Sequence, residues 1–534
     1  MTSSPPLPAP PGPTAAPTTT EVSVPAQTRI QWCLISHTNI GKTSLARTLL
    51  MQDVGDIRDA AHVTDSADAH VLLETSAGDI LTLWDTPGFG DSVRLYQRLR
   101  QQSNPLGWFL SNVWDRWRDK PFWMSQRAMR AARDNADVVL YLVNAAEDPA
   151  DAGYLDAEMH ILQWLGKPVF VLLNQLGQPQ PGTAQQADVE RWHAAVRPYQ
   201  PMVRGVLALD AFTRSWVHEQ SLFHAVQAAI APDKQAAYAR IVQAWETRNQ
   251  QRFAASMACL ATLLAEATGW TQPISEPVSA LSWKHLQNAM TSKAGAEAAA
   301  ENDPARQAMQ ALLRRLQKAD EAAMQTLLQL HRLDGHAAAQ IQQQLNQYFT
   351  VQQPLDARQM GLLGALTTGA ASGFGADLAT GGLSMGTGAL IGALAGAAAF
   401  AGAALGLNKW RAQSAHQVHL SDNLLDELLR ASLLKYLAIA HFGRGRGSYT
   451  ANEAPAHWNA ALGQALASRQ ETLHALWRGL REQALAEAAA PEDPALRVRL
   501  ENAVTATALD TLGRLYPSLQ LPGQTAADGT GQRP

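Results

Sequence analysis

Lys42 and Thr43, directly after Gly41, are the residues whose spacing first suggests chemistry. They close the stretch Ser36-His37-Thr38-Asn39-Ile40-Gly41-Lys42-Thr43-Ser44. An apolar run (Ile30, Trp32, Cys33, Leu34, Ile35) precedes it, and Leu45 to Leu50 follow with helical spacing and no breaker. A strand, a short loop ending Gly-Lys-Thr and then a helix is the setting of a phosphate-binding P-loop. Its backbone N–H groups and the helix N-terminus would form an anion nest across all nine residues. Lys42 would neutralise β- and γ-phosphates, and the Thr43 hydroxyl would ligate Mg²⁺. Ser36 stands where the first glycine usually lies. Taken alone, the stretch can also be read as a chance Gly-Lys-Thr before a surface helix.

A second segment decides between the two readings. His70 to Thr75 and Ile80 to Trp84 read as strands joined by the turn Ser76-Ala77-Gly78-Asp79. The second strand runs into Asp85-Thr86-Pro87-Gly88, about forty residues after the Gly-Lys-Thr. A strand-terminal Asp at that separation holds a magnesium shell through water, and the glycine offers its N–H to a γ-phosphate. Thr86 and Pro87 join the candidate nucleotide contacts. Lys42 and Gly88 are candidates for the catalytic step.

Thr-Asn-Ile-Gly-Lys-Thr-Ser-Leu together with Asp-Thr-Pro-Gly resembles the Era-like branch of translation-factor-class P-loop GTPases. That resemblance implies GTP and GDP as ligands, with Mg²⁺ held by Thr43, Asp85 and a first-switch threonine. Thr64, 21 residues before Asp85, is the matching position and joins Lys42 and Gly88 as a catalytic candidate; it also fits an ordinary loop residue. In potassium-dependent members an Asn at the position of Asn39 helps hold a monovalent cation. Phe89 stands where some GTPases carry a water-orienting Gln, and Phe has no hydrogen-bonding group to replace it. Slow unaided hydrolysis is the expectation. The base-recognition motif Asn-Lys-x-Asp reads Asn174-Gln175-Leu176-Gly177 here, so Asn174 is in place and the carboxylate is not. Gln317-Lys318-Ala319-Asp320 follows no strand and is rejected as a substitute. Guanine specificity is therefore what the resemblance implies and not what the motif displays.

The elements that must position these residues alternate. Asp137 to Asn144 reads as a strand, 152–165 as a helix, and Lys167 to Asn174 as a strand. Val203 to Leu209 is a sixth strand ending in Asp210-Ala211-Phe212, where a base-stacking loop belongs. Residues 29–232 thus predict an α/β P-loop G domain with a mostly parallel, doubly wound sheet. Between them, Trp108 to Trp123 holds six large aromatics in sixteen residues. This block reads either as a helix packed on the domain's flank or as a nucleotide-sensitive docking surface.

From 233 the pattern turns all-helical. Lys234 to Thr268, Ser282 to Glu301, Pro304 to Leu333 and Ala337 to Phe349 predict a bundle or stalk over 233–358. In the Gly/Ala-rich region 359–408, Asp377 is the only charge from Met360 to Asn408, and Gly388, Gly392 and Gly396 form a glycine zipper. Residues 383–407 are uncharged and long enough to cross a bilayer as a helix, and small residues at four-residue spacing favour close helix association in lipid. A conditionally inserting hairpin is the expectation; a tightly packed bundle outside lipid is the alternative. Residues 409–516 read as a helical region with helices over Asn423 to Ala440, 455–488 and 492–515. Its loop His441-Phe442-Gly443-Arg444-Gly445-Arg446-Gly447 reads as a flexible cationic helix stop, an anion site or an arginine donor. Tyr436 to Gly447 resembles the signature of one bacterial family of Era-like GTPases with a C-terminal helical domain of unknown function.

Composition bounds the rest. The 534 residues carry a net charge of −4, against a general nucleic-acid binder, and no nucleic-acid partner is expected. Cys33 and Cys259 cannot build a disulfide framework, which fits a reducing cytosol. The Pro/Thr-rich residues 1–28 and the polar 517–534 read as disordered tails. The predicted protein is a slow GTPase switch in the cytoplasm, associating with the inner face of the membrane. Residues 105–123 and the C-terminal helices are its candidate surfaces for a second copy or a protein partner. A non-catalytic nucleotide-binding scaffold and an ATPase are the alternatives.

Overall fold

The computed structural model describes residues 27–52, 54, 67–111, 119–176, 182–211, 216–273, 304–333, 417–444, 456–486 and 494–517. Apolar runs near the N-terminus form a six-stranded sheet of β1 (Arg29–Ser36), β2 (Asp68–Glu74), β3 (Ile80–Asp85), β4 (Val138–Asn144), β5 (Val169–Asn174) and β6 (Val203–Ala208). The strand order is β2-β3-β1-β4-β5-β6. Only the β2–β3 pair is antiparallel, as its tight turn dictates. β5 is buried throughout and β4 nearly so, as expected of parallel strands covered on both faces. β1 lies between β3 and β4, which makes its carboxyl end a topological switch point, where ligands of open α/β sheets bind.

Alternate residues of each strand enter opposite apolar layers. Trp32, Leu34, Leu140 and Leu172 face the layer that contains α1 (Lys42–Leu50). Cys33, Ile35, Tyr141 and Val171 face the other. That second layer is closed by α2 (Ser92–Leu99), α3 (Pro105–Ser111), α4 (Lys120–Asn135), α5 (Leu155–Leu165) and α6 (Gly182–Val196). α7 (Trp216–Gln227) and the first half of α8 (Gln235–Gly269) return to the α1 side.

α8 joins the two halves of the molecule. Its 35 residues span about 52 Å at the helical rise. Tyr238, Ile241 and Trp245 pack on the sheet layer, whereas Met257, Leu260 and Leu264 belong to a separate helical core. Two ion pairs tie its start to the sheet: Lys234 to Asp137 at 2.7 Å, and Arg240 to both oxygens of Asp79 at 2.6 and 3.0 Å. The helical core is completed by α9 (Pro304–Leu330), α10 (Asp422–Ala440), α11 (Ala456–Ala467), α12 (Gln470–Ala486) and α13 (Pro494–Leu515). The chain is thus a mostly parallel α/β domain followed by a helical region, as its periodicities predict.

Two details differ from the sequence-based expectation. The helix expected over 455–488 is two helices, α11 and α12, separated at Ser468-Arg469. No Gly or Pro marks this break; Arg469 is held by Asp510 of α13 at 2.8 Å, a contact that local sequence does not encode. Thr271–Pro273 (β7) and Gln417–His419 (β8) form a short antiparallel pair, too brief to display a strand period. The helices expected over 282–301 and 337–349, and the hairpin over 360–408, lie outside the described residues. No helix among the described residues is long and apolar enough to cross a membrane.

Candidate functional site

β1 delivers the chain at Ser36 to a five-residue loop that turns into α1. The turn requires Gly41, whose φ is +93° and whose missing Cβ would sit 2.8 Å from the Asn174 amide nitrogen. Asn39 also adopts a left-handed φ of +65° and is exposed. No side chain caps the N-terminus of α1. Lys42 is buried and curls back so that Nζ donates to Ser36 Oγ at 2.8 Å and approaches the His37 carbonyl at 3.5 Å. Burial lowers the Lys42 pKa to about 8, against the opposing pull of the Asp85 and Glu158 charges. Serine in place of the first glycine thus supplies an oxygen acceptor for the lysine. Ser44 is buried on α1 behind the loop.

The β1–β3 register sets Asp85 beside Leu34, one turn of loop away from Thr43. Thr43 Oγ1 donates to Asp85 Oδ2 at 2.6 Å, while Asp85 Oδ1 is buried with no hydrogen-bond partner among the described residues. Burial raises the Asp85 pKa, opposed by the Thr43 hydrogen bond and the Lys42 charge. A buried carboxylate with a free oxygen beside a threonine hydroxyl suits a hydrated divalent cation. The described residues contain no group of three or more His, Cys, Asp or Glu side chains that could hold a metal. Phosphate oxygens and water would therefore have to complete its shell. Thr64, the third expected ligand, lies outside the described residues.

After Asp85 the chain stays buried through Thr86, Pro87 and Gly88. Thr86 Oγ1 donates to the Leu34 carbonyl at 2.6 Å, which anchors the segment to β1. A Cβ on Gly88 would lie 3.0 Å from both Lys42 Nζ and Thr38 Cα, and 3.2 Å from the His37 carbonyl. A larger residue here would require Lys42 and the Thr38–His37 backbone to give by a few tenths of an ångström. Phe89 continues the contact, its N–H donating to the Ser36 carbonyl at 2.9 Å. Its ring is fully buried in the apolar layer with Leu95 and Phe109, so it does not reach the mouth of the loop.

The far side of the site is organised by Asn174, which is fully buried. Its Nδ2 donates to the Ile40 carbonyl at 2.6 Å, and its Oδ1 accepts from the Ala211 N–H at 2.8 Å. One amide therefore holds the P-loop against the loop after β6. Asp210 Oδ2 accepts the Leu176 N–H at 2.8 Å and fixes the end of β5 to the same loop. Gly177 and Phe212 lie outside the described residues.

Several participants were not singled out by their sequence context. Glu158 is fully buried beneath the P-loop, 2.7 Å from His37 Nδ1 and 2.6 Å from the Tyr141 hydroxyl. The His37 ring stacks on Tyr154 at 4.4 Å. A readable signal exists: Leu155, Glu158, Leu162 and Leu165 share one helical face, which places an acid on an apolar stripe. In the aromatic block, Phe109 and Phe122 are buried, with Arg94 and Arg98 over the Phe122 ring at 5.2 and 4.9 Å. Trp108 and Trp123 are half-buried, and Trp114 and Trp117 lie outside the described residues. Asp320, in the rejected Gln-Lys-Ala-Asp, is buried on α9 and pairs with Lys435 at 2.5 Å.

The expectation of an exposed cationic loop at Gly443 to Gly447 needs correcting at its first arginine. Arg444 is only 7 % exposed. Its N–H donates to Thr48 Oγ1 on α1 at 2.8 Å, and its guanidinium donates to the Arg332 carbonyl. The composition of the loop predicts flexibility, whereas its described residue Arg444 is docked on α1. Arg446 lies outside the described residues.

Residues 31–175 match a family model described as 50S ribosome-binding GTPase, and residues 201–505 match one described as domain of unknown function DUF3482. No curated protein matches the sequence. Solved structures similar to the chain include Era in complex with MgGDPNP and nucleotides 1506–1542 of 16S ribosomal RNA. That match has 17 % identity and a TM-score of 0.26, covering 34 % of this chain and 51 % of that one. A variant of Aquifex aeolicus Era bound to GDP·AlF4⁻ gives 17 %, 0.26, 34 % and 52 % in the same order. A probable GTP-binding protein, engB, gives 12 %, 0.24, 38 % and 98 %. The chain spans about half the length of the Era structures it matches. With a P-loop GTPase domain at its N-terminal side and the second match covering more than half its length, the chain belongs to the family defined by the DUF3482 domain.

Proposed function

We propose that the protein is a guanine-nucleotide switch that binds GTP with Mg²⁺ and hydrolyses it slowly to GDP and phosphate. The observation that carries this reading is the convergence of buried Lys42 with the Thr43–Asp85 pair, in which Asp85 Oδ1 has no partner among the described residues. In this reading the backbone from Ser36 to Ser44 cradles the phosphates and Lys42 neutralises them. Gly88, backed by Thr86 and Pro87, presents its N–H to the γ-phosphate. Thr43 and, through water, Asp85 would hold Mg²⁺, with Thr64 joining in the triphosphate state; the cation supplies charge neutralisation of the β- and γ-phosphates. Asn174 serves the base side by holding two loops together.

Slow turnover follows from Phe89, whose buried ring leaves no side chain from that position to orient water. Rate would come from a monovalent cation near Asn39 or from a partner's arginine, which typically contributes about 10³–10⁵. Nucleotide state would reach the helical region over 233–516 through α8 and α1, and residues 360–408 would be its membrane-seeking part.

Phosphate release from GTP tests the enzyme, with Lys42→Ala as the control that must lose it. Competition of ATP against labelled GTP tests the nucleoside, because Gly177 removes the usual carboxylate. Equal competition would make the protein an ATPase as readily as a GTPase. Tight binding without turnover, even with potassium and liposomes present, would make it a scaffold. Flotation with liposomes, with and without residues 360–408, tests the membrane step.

A further inference from the structure

Thr48 occupies a place on α1 where the helix would ordinarily bury a hydrocarbon. It is 2 % exposed and lies between Leu45 and Leu49 in the sequence, both of which are in the apolar layer. Its hydroxyl makes two long-range hydrogen bonds. It donates to the Ala211 carbonyl at 2.7 Å and accepts the Arg444 N–H at 2.8 Å. Ala211 in turn donates its N–H to Asn174 Oδ1, and Asn174 Nδ2 donates to the Ile40 carbonyl in the P-loop. A continuous hydrogen-bonded chain therefore runs from the P-loop backbone, through the loop after β6, to the turn that ends α10. The turn is anchored from behind by the Arg444 guanidinium on the Arg332 carbonyl.

We propose that Thr48 is a positioning residue through which the Phe442–Arg444 turn of the helical region sets the loop after β6 and thereby the protein's preference between nucleosides. The inference rests on the nucleotide-binding reading given above. Three observations support it. Both partners of Thr48 are backbone groups, so its hydroxyl fixes where the main chain runs. Gly177 replaces the carboxylate that would otherwise select the base, so discrimination falls to how Asn174 and Asp210-Ala211 are placed. The DUF3482 match begins at residue 201, so the Asp210-Ala211 loop and the Arg444 turn lie within one matched unit.

Thr48→Val keeps the shape of the side chain and deletes both hydrogen bonds, leaving two buried backbone groups without that partner. The decisive measurement is the ratio of dissociation constants for fluorescent GDP and ADP. Thr48→Val is expected to shift that ratio by about tenfold, with Thr48→Ser restoring it. Linkage requires the reverse effect as well: GDP should slow hydrogen exchange at residues 437–444 in the unmodified protein and fail to do so in Thr48→Val. Arg444→Ala loosens the same turn from its far side and should move the ratio in the same direction, which preserves the test if Thr48→Val does not fold. A folded variant with a lower melting temperature but an unchanged ratio would overturn the inference and reduce Thr48 to a packing role. Unmodified protein that binds neither nucleotide would overturn the nucleotide reading, and this inference with it; binding that is indifferent to both variants overturns this inference alone.

Discussion

The Lys42 ammonium donates to the Ser36 hydroxyl at 2.8 Å, so the position that departs from the usual glycine supplies the lysine with an oxygen acceptor. Ser36→Ala removes that acceptor inside a buried site. The nucleotide-free variant should lose about 1–3 kcal/mol of stability. Phosphate oxygens would replace the lost partner, so the rise in melting temperature on adding GDP should be larger in the variant. Scanning calorimetry with and without GDP checks both outcomes; an equal rise would show that Lys42 does not turn from Ser36 to the nucleotide.

Lys42 also predicts a pH dependence. Burial lowers its pKa from 10.5 to about 8. The phosphates require the charged form, so binding above pH 8 must take up a proton. Affinity should be flat below about pH 7.5 and fall by up to tenfold per unit between about 8 and 10. The sign for stability is opposite. A lowered lysine disfavours the nucleotide-free fold below its folded pKa, and that penalty is relieved as pH rises from about 8 toward the unfolded value. GDP titrations from pH 7 to 9.5 check the first statement, with Lys42→Ala expected to abolish the slope.

Gly88→Ala should separate binding from turnover. The new methyl would press on Lys42 Nζ and on backbone at Thr38 and His37, all within 3.0–3.2 Å. Lys42 can shift; the backbone gives less readily. We expect phosphate release to fall about 10- to 100-fold through misplacement of the reacting groups. The accompanying strain should cost about 1–3 kcal/mol. Single-turnover kinetics beside GDP affinity measurements would reveal the split.

The helical core contains its own sensitive pair. Lys435 and Asp320 meet at 2.5 Å with side chains only 3 % and 5 % exposed. Lys435→Met leaves the Asp320 carboxylate buried alone and should destabilise the protein by about 3–5 kcal/mol. The double change Lys435→Met with Asp320→Leu should recover most of that loss. Urea unfolding of Lys435→Met, Asp320→Leu and the double variant gives the cycle, and an additive result would mean that the pair is not coupled.

The alternating sheet, and the strand–loop–helix that carries Gly41-Lys42-Thr43, were legible because they are written locally. Gly41-Lys42-Thr43 follows an apolar strand directly, and Asp85 ends another. Apolar runs, helical spacing and turn residues act over a few positions, so the local sequence announces them. Other features had no local counterpart. Glu158 meets His37 across 121 positions, and Arg444 meets Thr48 across 396. The break at Ser468-Arg469 has no Gly or Pro to announce it, and Arg469 there meets Asp510 across 41 positions.

The sequence by itself determined the α/β class, the helical remainder and which loop ends in Gly-Lys-Thr. Tertiary structure decided that α8 belongs to both cores, that the Phe89 ring turns away from the loop mouth, and that Arg444 is a buried contact of the P-loop helix. The physical reason is the range of the interactions. Backbone propensity and apolar periodicity are summed along the chain, whereas a buried hydroxyl or guanidinium takes whichever partner the packed helices bring within hydrogen-bonding distance.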